Sequence, residues 1–302
     1  MLSHNVTVCI VTWNEEKRIL RCAANFKDMF KVLVVDNCSS DATVDIAEAA
    51  GYDCVRIKNP GYIETPEVME PLMAACSTDF ILVASCSEFV PLALQARYAD
   101  VANTHSHDIV RAYRVSLTAG VPVPISGTAN RRALGELRFF RKGSVDYDQN
   151  HVHGRGLPVC PADRVLRVVE DPALHFFQLR DYDCSQTETV LCRYDDVLAK
   201  QRFDAGQRFS WTRALLGSAR SFVAPYFWHG SWRFGMLGFL HCYYRWQMEF
   251  TIWLRIWEWQ HGYYRARIIE RNTAMRSTME KQFHQEVADK NLHRPGPSSH
   301  HA

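Results

Sequence analysis

The amino-acid sequence predicts an α/β fold, a mostly parallel sheet flanked by helices, followed by a helical C-terminal region rich in aromatic residues. Three observations predict it. The apolar runs at 6–11 and 31–35 are continuous rather than alternating, as in parallel strands that are buried on both faces. Strand-like and helical segments then alternate as far as residue 84. From about residue 188 the pattern is helical, and aromatic residues are frequent there.

The N-terminal elements follow one another at short intervals. Residues 15–30 have apolar side chains at helical spacing and join the first two strands into a βαβ unit of about thirty residues. A second helix is predicted with Ser40 or Asp41 as its N-cap and Gly51 as its stop. This second helix covers 41–50, and the further predicted elements are a strand at 54–57, a helix near 67–75 and a strand at 80–84.

The pattern changes in the second half of the chain. Two strands are predicted around a Pro/Gly-rich loop, and long helices follow them. These elements are the strands at 109–117 and 136–141, the loop at 119–130 and helices over 188–202 and 211–287. We therefore expect an α/β domain over 1–185, a helical extension over 186–290 and a disordered polar tail over 291–302.

Composition, charge and cysteine spacing limit the partners, metal sites and cellular location that the sequence predicts. A hydrophobic fraction of 47% allows a buried core, and a net charge of +2 does not by itself indicate a nucleic acid or acidic lipid as partner. The ten cysteines lack CxxC spacing, so no zinc site is predicted. The N-terminus has no basic, long apolar or cleavage segment, and we expect a cytoplasmic protein. Charges interrupt the apolar stretch at 221–264, which could lie on the inner face of a membrane but not span it.

Two polar loops follow the first two strands. The first is Thr12-Trp13-Asn14-Glu15, and the second runs over 36–41 and opens a helix. Ligands of open α/β sheets bind beyond the carboxyl ends of the strands. A carboxylate there can accept hydrogen bonds from a ribose or a base, and hydroxyl and N–H groups at a helix start suit phosphate. The alternative is that the second loop only caps its helix.

The segments CIVTWNEEKRILRC and KVLVVDNCSSDATVDIAEAAG closely resemble the opening of the family-two glycosyltransferases, which have the GT-A fold. The resemblance implies a nucleotide-sugar donor, most simply a UDP-sugar. It also implies the residues that hold the donor. These are Thr12, Asn14, Glu15, Asp36, Ser39 and Asp41, together with Ser87 farther along the chain.

A weaker resemblance to the lipopolysaccharide-core β-glucosyltransferase type extends over roughly 5–262. The segments that carry it are ELRFFRKGSVDYDQNHVHG, ALHFF and RYDDVLAKQRFDAGQRFS. It implies transfer to a hydroxyl of a saccharide or glycolipid with inversion. Such a transfer needs a general base for the acceptor proton. The candidate catalytic residues are Glu88, Asp148 and His153, with Asp146 and His151 as neighbours that could share the role.

The sequence departs from the family where an Asp-x-Asp motif normally holds a divalent cation, because it reads Ser85-Cys86-Ser87-Glu88. Hard cations require carboxylate oxygens, so a divalent metal is doubtful and no metal ligands are predicted. Three explanations stay open. The leaving group is stabilised by a basic side chain, the donor has less phosphate charge, or the protein binds without turnover. The basic candidates are Arg131, Arg132, Arg138, Arg141 and Lys142.

The aromatic residues between 222 and 264 allow three interpretations. They form a core packed against the sheet, an interfacial surface for a membrane, or a stacking surface for nucleic acid. Alternating charges at Glu249, Arg255 and Glu258 make nucleic acid the least favoured partner. We therefore predict a glycosyltransferase, with a non-catalytic nucleotide- or sugar-binding protein and an enzyme acting on modified nucleic acid as rivals.

Overall fold

A computed structural model describes residues 5–60, 64–118, 120–122, 135–148, 156–180 and 184–292. Strands and helices alternate at first, as the sequence predicts, because each apolar strand run is followed by a segment with helical spacing. The first elements are β1 Val6–Thr12, α1 Ile19–Ala24, β2 Lys31–Asp36, α2 Thr43–Ala49, β3 Asp53–Arg56, α3 Pro66–Ala75 and β4 Phe80–Ser85.

The middle of the chain is mainly short strands. They are β5 Glu88–Phe89, β6 Ile109–Ala112, β7 Arg114–Thr118, β8 Val121–Pro122, β9 Glu136–Arg141, β10 Val145–Asp146, β11 Leu157–Pro158, β12 Val165–Arg167 and β13 Phe176–Arg180. Helix α4, Leu92–Thr104, lies between β5 and β6, and single 3₁₀ turns precede β12 and β13. Most of the predicted loop at 119–130 lies outside the described residues.

The described strands form a seven-stranded sheet in the order β12-β6-β9-β4-β1-β2-β3. Within it β9 runs antiparallel to both neighbours, and the other pairings are parallel. A second sheet, in the order β5-β13-β7-β8, continues from the chain segments that leave β4 and β6. Apolar clusters cover both faces of the large sheet, one around Phe26 and Tyr98 and the other around Met69 and Phe140. The predicted fold class is confirmed.

The C-terminal region is helical, as predicted, and is divided into four helices. These are α5 Cys184–Asp204, α6 Trp211–Val223, α7 Gly235–His261 and α8 Arg265–Leu292. A core of its own, which includes Ala199, Ala214, Ile252 and Trp253, lies between α5, α6 and α7. None of the described helices combines the length and apolar character that crossing a membrane requires. The predicted domain limits stay predictions.

Candidate functional site

Three polar residues end adjacent strands at one edge of the large sheet. In the parallel pairing of β1 with β2, Thr12 lies opposite Asp36. In the pairing of β1 with β4, Val11 lies opposite Ser85. Because the carboxyl ends of parallel strands share an edge, the loops after β1, β2 and β4 meet there. The structure thus brings together the three segments in which the sequence places most of the site.

Asp36 is the central residue of this edge and is completely buried. One carboxylate oxygen accepts the Ser39 N–H at 2.9 Å, and the other accepts the hydroxyls of Ser39 and, at 3.4 Å, Thr12. The Arg56 Nε lies 3.9 Å from the carboxylate. Asp36 therefore stabilises the turn of its own loop and ties it to β1.

Asn14 joins the two loops from the other side. Its backbone N–H donates to the Ser39 hydroxyl at 2.8 Å, and its side-chain oxygen accepts the Ser40 N–H at 2.8 Å. Asn14 has a φ of 56°, in the left-handed region where asparagine is one of the better tolerated residues. This backbone conformation is what turns both of its hydrogen-bonding groups toward the second loop.

Asp41 and Glu15 complete the contact between the loops. Asp41 accepts the N–H of Thr43 at 3.0 Å and that of Glu16 at 3.2 Å, and the Thr43 hydroxyl in turn accepts the Glu15 N–H at 2.7 Å. Asp41 thus forms an Asx turn just before α2. The N-cap of the helix is Ala42, so the predicted N-cap at Ser40 or Asp41 was wrong by one or two residues. Partial burial opposes ionisation of Asp41, but the hydrogen bonds from Thr43 and Glu16 outweigh it and lower its pKa. The Glu15 carboxylate pairs with Arg18 at 2.7 Å.

The turn after β4 carries hydroxyls where the family carries carboxylates. The Ser85 and Ser87 hydroxyl oxygens lie 3.1 Å apart, and the Ser87 carbonyl accepts the N–H of Leu179 in β13. Between them, the thiol of Cys86 faces that of Cys22 in α1; this contact, together with burial, raises the pKa of Cys86 well above its usual range. The turn is thus fixed by β13 and α1.

Glu88 is almost inaccessible, with 2% of its side chain exposed. One of its oxygens accepts a hydrogen bond from the Arg138 guanidinium, whose side chain is 6% exposed, and the other accepts the Ser85 N–H at 3.0 Å. The carboxylate is therefore fully engaged in holding the turn. Its predicted role as general base stays a prediction, but the described structure offers it no path to an acceptor.

These residues do not fit a divalent cation. Ser85 and Ser87 offer neutral hydroxyls, and the one carboxylate of the turn is neutralised by Arg138. A hard cation binds through several charged or strongly polar oxygens. Within the described ranges, no three His, Cys, Asp or Glu side chains come together as a metal site. The donor set of this turn argues against the family's usual metal.

The basic candidates for the leaving group lie in different places. Arg138 is held by its ion pair with Glu88. Arg141 lies opposite Phe80 in the pairing of β9 with β4, at the end of β4 that is roughly 16 Å from Ser85 at the usual rise of a strand. The Lys142 ammonium donates to the Cys76 carbonyl at that same far end. These positions do not suit a contact with donor phosphates. Arg131 and Arg132 lie outside the described residues.

The remaining catalytic candidates follow β10. Asp148 is exposed, and its N–H donates to the Asp146 carboxylate at 2.8 Å. The ring of Tyr147 packs on Phe140, which places this segment on one face of the large sheet. His153 and its neighbour at 151 lie outside the described residues. Within the described residues, no hydrogen bond or ion pair joins Asp148 to the nucleotide loops, and the roles predicted for Asp148 and His153 stay predictions.

Sequence reasoning missed the partner of Glu88. Arg138 stands in the run Leu137 to Phe140, whose apolar members are all buried. An arginine inside such a strand requires a buried carboxylate, because an isolated charge is too costly to bury. The arginine within this apolar run was therefore the sequence signal from which a buried carboxylate partner could have been predicted.

Comparison with known proteins agrees with this architecture. Residues 7–62 match the family described as "Glycosyl transferase family 2". An uncharacterized glycosyltransferase of Rickettsia typhi is 31% identical over 113 residues, which are 37% of this chain and 38% of the relative. The chain thus spans about two fifths of that relative. The lipopolysaccharide core biosynthesis glycosyltransferase LpsC of Rhizobium meliloti is 24% identical over 76% of this chain and 84% of its own.

Two solved structures align with much of this chain at low sequence identity and low TM-score. S. aureus TarS, residues 1–349, is 13% identical over 85% of this chain and 92% of its own, with a TM-score of 0.43. Glucosyl-3-phosphoglycerate synthase of Mycobacterium tuberculosis is 14% identical over 68% and 82%, with a TM-score of 0.44. The family resemblance predicted from the two N-terminal motifs is confirmed by the family match and the relatives.

Proposed function

We propose that this chain, which matches glycosyl transferase family 2 over residues 7–62, is a glycosyltransferase that moves a sugar from a nucleotide donor to a hydroxyl of a saccharide or glycolipid. The observation that supports this most directly is the pair of cross-linked loops at the carboxyl ends of β1 and β2. Loops in this position bind nucleotides in open α/β sheets. The reaction takes place in the cytoplasm, where a glycolipid acceptor is presented at the inner face of a membrane.

The donor is a UDP-sugar in this proposal, and the loops have divided roles. Asp36 and Thr12 are buried beneath the two loops, and the hydrogen bond between their side chains holds the loops at a fixed distance from each other. Asn14, Ser39 and Asp41 are more accessible and shape the surface against which the nucleotide lies. The backbone conformation of this surface is set before the donor arrives, which lowers the entropic cost of binding.

The transfer proceeds without a divalent metal and with inversion. Ser85 and Ser87 offer hydroxyls at the edge where the donor phosphates lie, and Arg131 or Arg132 supplies positive charge to the leaving group. The acceptor proton goes to Asp148 or His153, since Asp148 has the exposure that a base needs. Glu88 positions the Ser85 to Ser87 turn through its bonds to Ser85 and Arg138.

A thermal-shift screen of UDP-sugars with and without EDTA tests the donor and the metal together. We expect stabilisation by at least one UDP-sugar and no effect of EDTA. Asp36→Asn should abolish the stabilisation, whereas the matched control Asp53→Asn, at an exposed position of β3, should retain it. If no nucleotide or nucleotide sugar stabilises the protein, the proposed function is wrong. If EDTA removes the stabilisation, only metal independence is wrong.

A non-catalytic binding protein is the second candidate, and the engagement of Glu88 by Arg138 favours it. Release of UDP from the donor distinguishes the two functions. An enzyme releases UDP in the presence of an acceptor, and the release is lost in Asp148→Asn or His153→Gln. A binding protein retains nucleotide affinity and releases no UDP with any saccharide or glycolipid acceptor.

A further inference from the structure

The chain between α6 and α7 reverses its direction, and large apolar side chains project from the reversal. A π-helical turn, Ala224–Trp228, and a 3₁₀ turn, Ser231–Phe234, form it. Phe227, Trp228, Trp232 and Met236 are here called the aromatic tip. Their exposed fractions run from 52% for Trp232 to 76% for Trp228. Such a concentration of exposed aromatic residues marks an interaction surface.

An inner layer of rings supports the aromatic tip. The ring of Phe222 lies 5.4 Å from that of Tyr226 and 5.5 Å from that of Phe239, and Tyr226 contacts Phe227 at 5.1 Å. These contacts hold the outer side chains in position. The exposure of the tip is therefore a property of a packed reversal and does not come from a frayed helix end.

The apolar surface continues along α6. Leu216 and Val223, two helical turns apart, lie on one face of the helix and lead toward Phe227. Arg213 and Arg220 are exposed and line the same open groove as Leu216. An apolar strip with flanking guanidinium groups is typical of a helix that lies in a membrane interface.

The charged residues within the segment 205–248 have a single sign; Glu249, which also lines the groove of Arg213 and Arg220, is paired with Arg202 at 2.7 Å. Residues 205–248 include five arginines and no lysine, aspartate or glutamate, whereas the whole chain has a net charge of only +2. The rest of the chain is therefore net acidic. At the tip itself, the Arg233 guanidinium lies over the Trp232 ring at 5.4 Å. Positive charge is concentrated at the place where apolar side chains are exposed.

We propose that the aromatic tip and the adjoining face of α6 bind the surface of a bilayer that contains anionic lipid. Tryptophan side chains lie well at the headgroup boundary, and arginines are attracted to lipid phosphates. A second copy of this chain fits the surface less well, because an isologous contact would bring the arginines of both copies together. This inference concerns the helical region and does not depend on the transfer reaction.

Sedimentation of the full chain with lipid vesicles tests the proposal. We expect at least tenfold stronger binding to phosphatidylcholine vesicles with 30% phosphatidylglycerol than to phosphatidylcholine alone, and weaker binding in 0.5 M salt. Trp228→Ser with Trp232→Ser should weaken binding at least tenfold. Arg213→Gln with Arg220→Gln should weaken it severalfold for anionic vesicles only.

Two matched controls accompany these variants. Met275→Ser with Met279→Ser removes side chains of similar exposure from α8, and Lys17→Gln with Lys27→Gln removes two exposed charges near α1. Both should bind like the unmodified chain, and circular dichroism should confirm the fold of every variant. Equal binding by tip and control variants, or no binding to anionic vesicles, overturns the proposal. So does a dimer, seen by analytical ultracentrifugation, that the tryptophan substitutions dissociate.

Discussion

The Arg138 guanidinium donates to the Glu88 carboxylate, and the two side chains are 6% and 2% exposed. The pair connects β9 with the turn after β4, where the family carries its acidic motif. Because the second Glu88 oxygen accepts the Ser85 N–H, the pair also sets the conformation of that turn. The acidic residue that remains in the motif thus acts as a structural anchor in the described structure.

Glu88→Gln should destabilise the protein strongly. It leaves the Arg138 charge buried without a counter-ion, which typically costs about 3–5 kcal/mol. Chemical denaturation followed by fluorescence measures the loss in the free energy of unfolding.

Glu88→Gln combined with Arg138→Met provides the control for that loss. Removing both charges should recover most of the stability, because replacing a buried pair with apolar groups is often close to neutral. If the double variant folds and still transfers sugar, Glu88 is not the base. A single variant as stable as the unmodified chain would contradict the buried pair.

Asn14→Gly and Asn14→Ala should differ in their effect on nucleotide affinity. Glycine keeps the positive φ of 56° and loses the side-chain bonds to the Ser40 N–H and, at 3.4 Å, the Ser40 hydroxyl, a loss of about 1 kcal/mol. Alanine loses the same bonds and also strains the backbone by roughly 1–2 kcal/mol. Titration calorimetry with the stabilising nucleotide should therefore rank the unmodified chain first, glycine second and alanine third. Equal affinities of the two variants would show that the left-handed conformation of residue 14 is unimportant for binding.

Asp195 should reduce stability at neutral pH. Burial raises the pKa of this carboxyl to about 6, although Arg255 opposes the rise. Between about pH 4 and pH 6 the folded state holds a proton that the unfolded state has released, so stability falls as pH rises through this window and is level above it.

Asp195→Asn should remove that loss. Arg255 retains Asp196 at 3.0 Å and Glu258 at 2.8 Å, so it is not left without partners. We expect a gain of about 3 kcal/mol at pH 7.5 and little change at pH 4. Denaturant titrations at the two pH values measure it. A gain of equal size at both would show that the titration of Asp195 is not its origin.

The sequence allowed the N-terminal half of the sheet to be predicted because its signals are local. Continuous apolar runs mark β1, β2 and β4, and Gly51 marks the end of α2. The two nucleotide loops could be predicted for the same reason, since each follows directly from a strand end.

Other features depend on contacts between distant segments. The two residues of β5 are too few for a periodic pattern, and their pairing with β13 joins segments about ninety residues apart. The Glu88–Arg138 pair likewise spans fifty residues. At the break between α6 and α7, Gly230 and Gly235 have positive φ and Gly238 packs closely on Ser231, a contact that a helical pattern over 211–287 does not reveal.

Gly238→Ala should disrupt the aromatic tip. A Cβ at position 238 would lie 1.8 Å from the Ser231 carbonyl oxygen, so the reversal or the start of α7 must shift. Overpacking of this kind costs about 1–3 kcal/mol or more.

Gly217→Ala is the matched control, because the nearest neighbour of a Cβ at position 217, the Trp253 Nε1, would lie at 3.6 Å, an ordinary contact. In the interior of α6 alanine is favoured over glycine by about 0.5–1 kcal/mol. Denaturation should therefore show a loss for Gly238→Ala and no change or a gain for Gly217→Ala. Vesicle binding should fall only in Gly238→Ala, while stabilisation by nucleotide, which depends on β1 and β2, persists in both. If the two variants were equally stable, α7 would not pack on the reversal as described, and the exposure of Trp228 and Trp232 would need another cause.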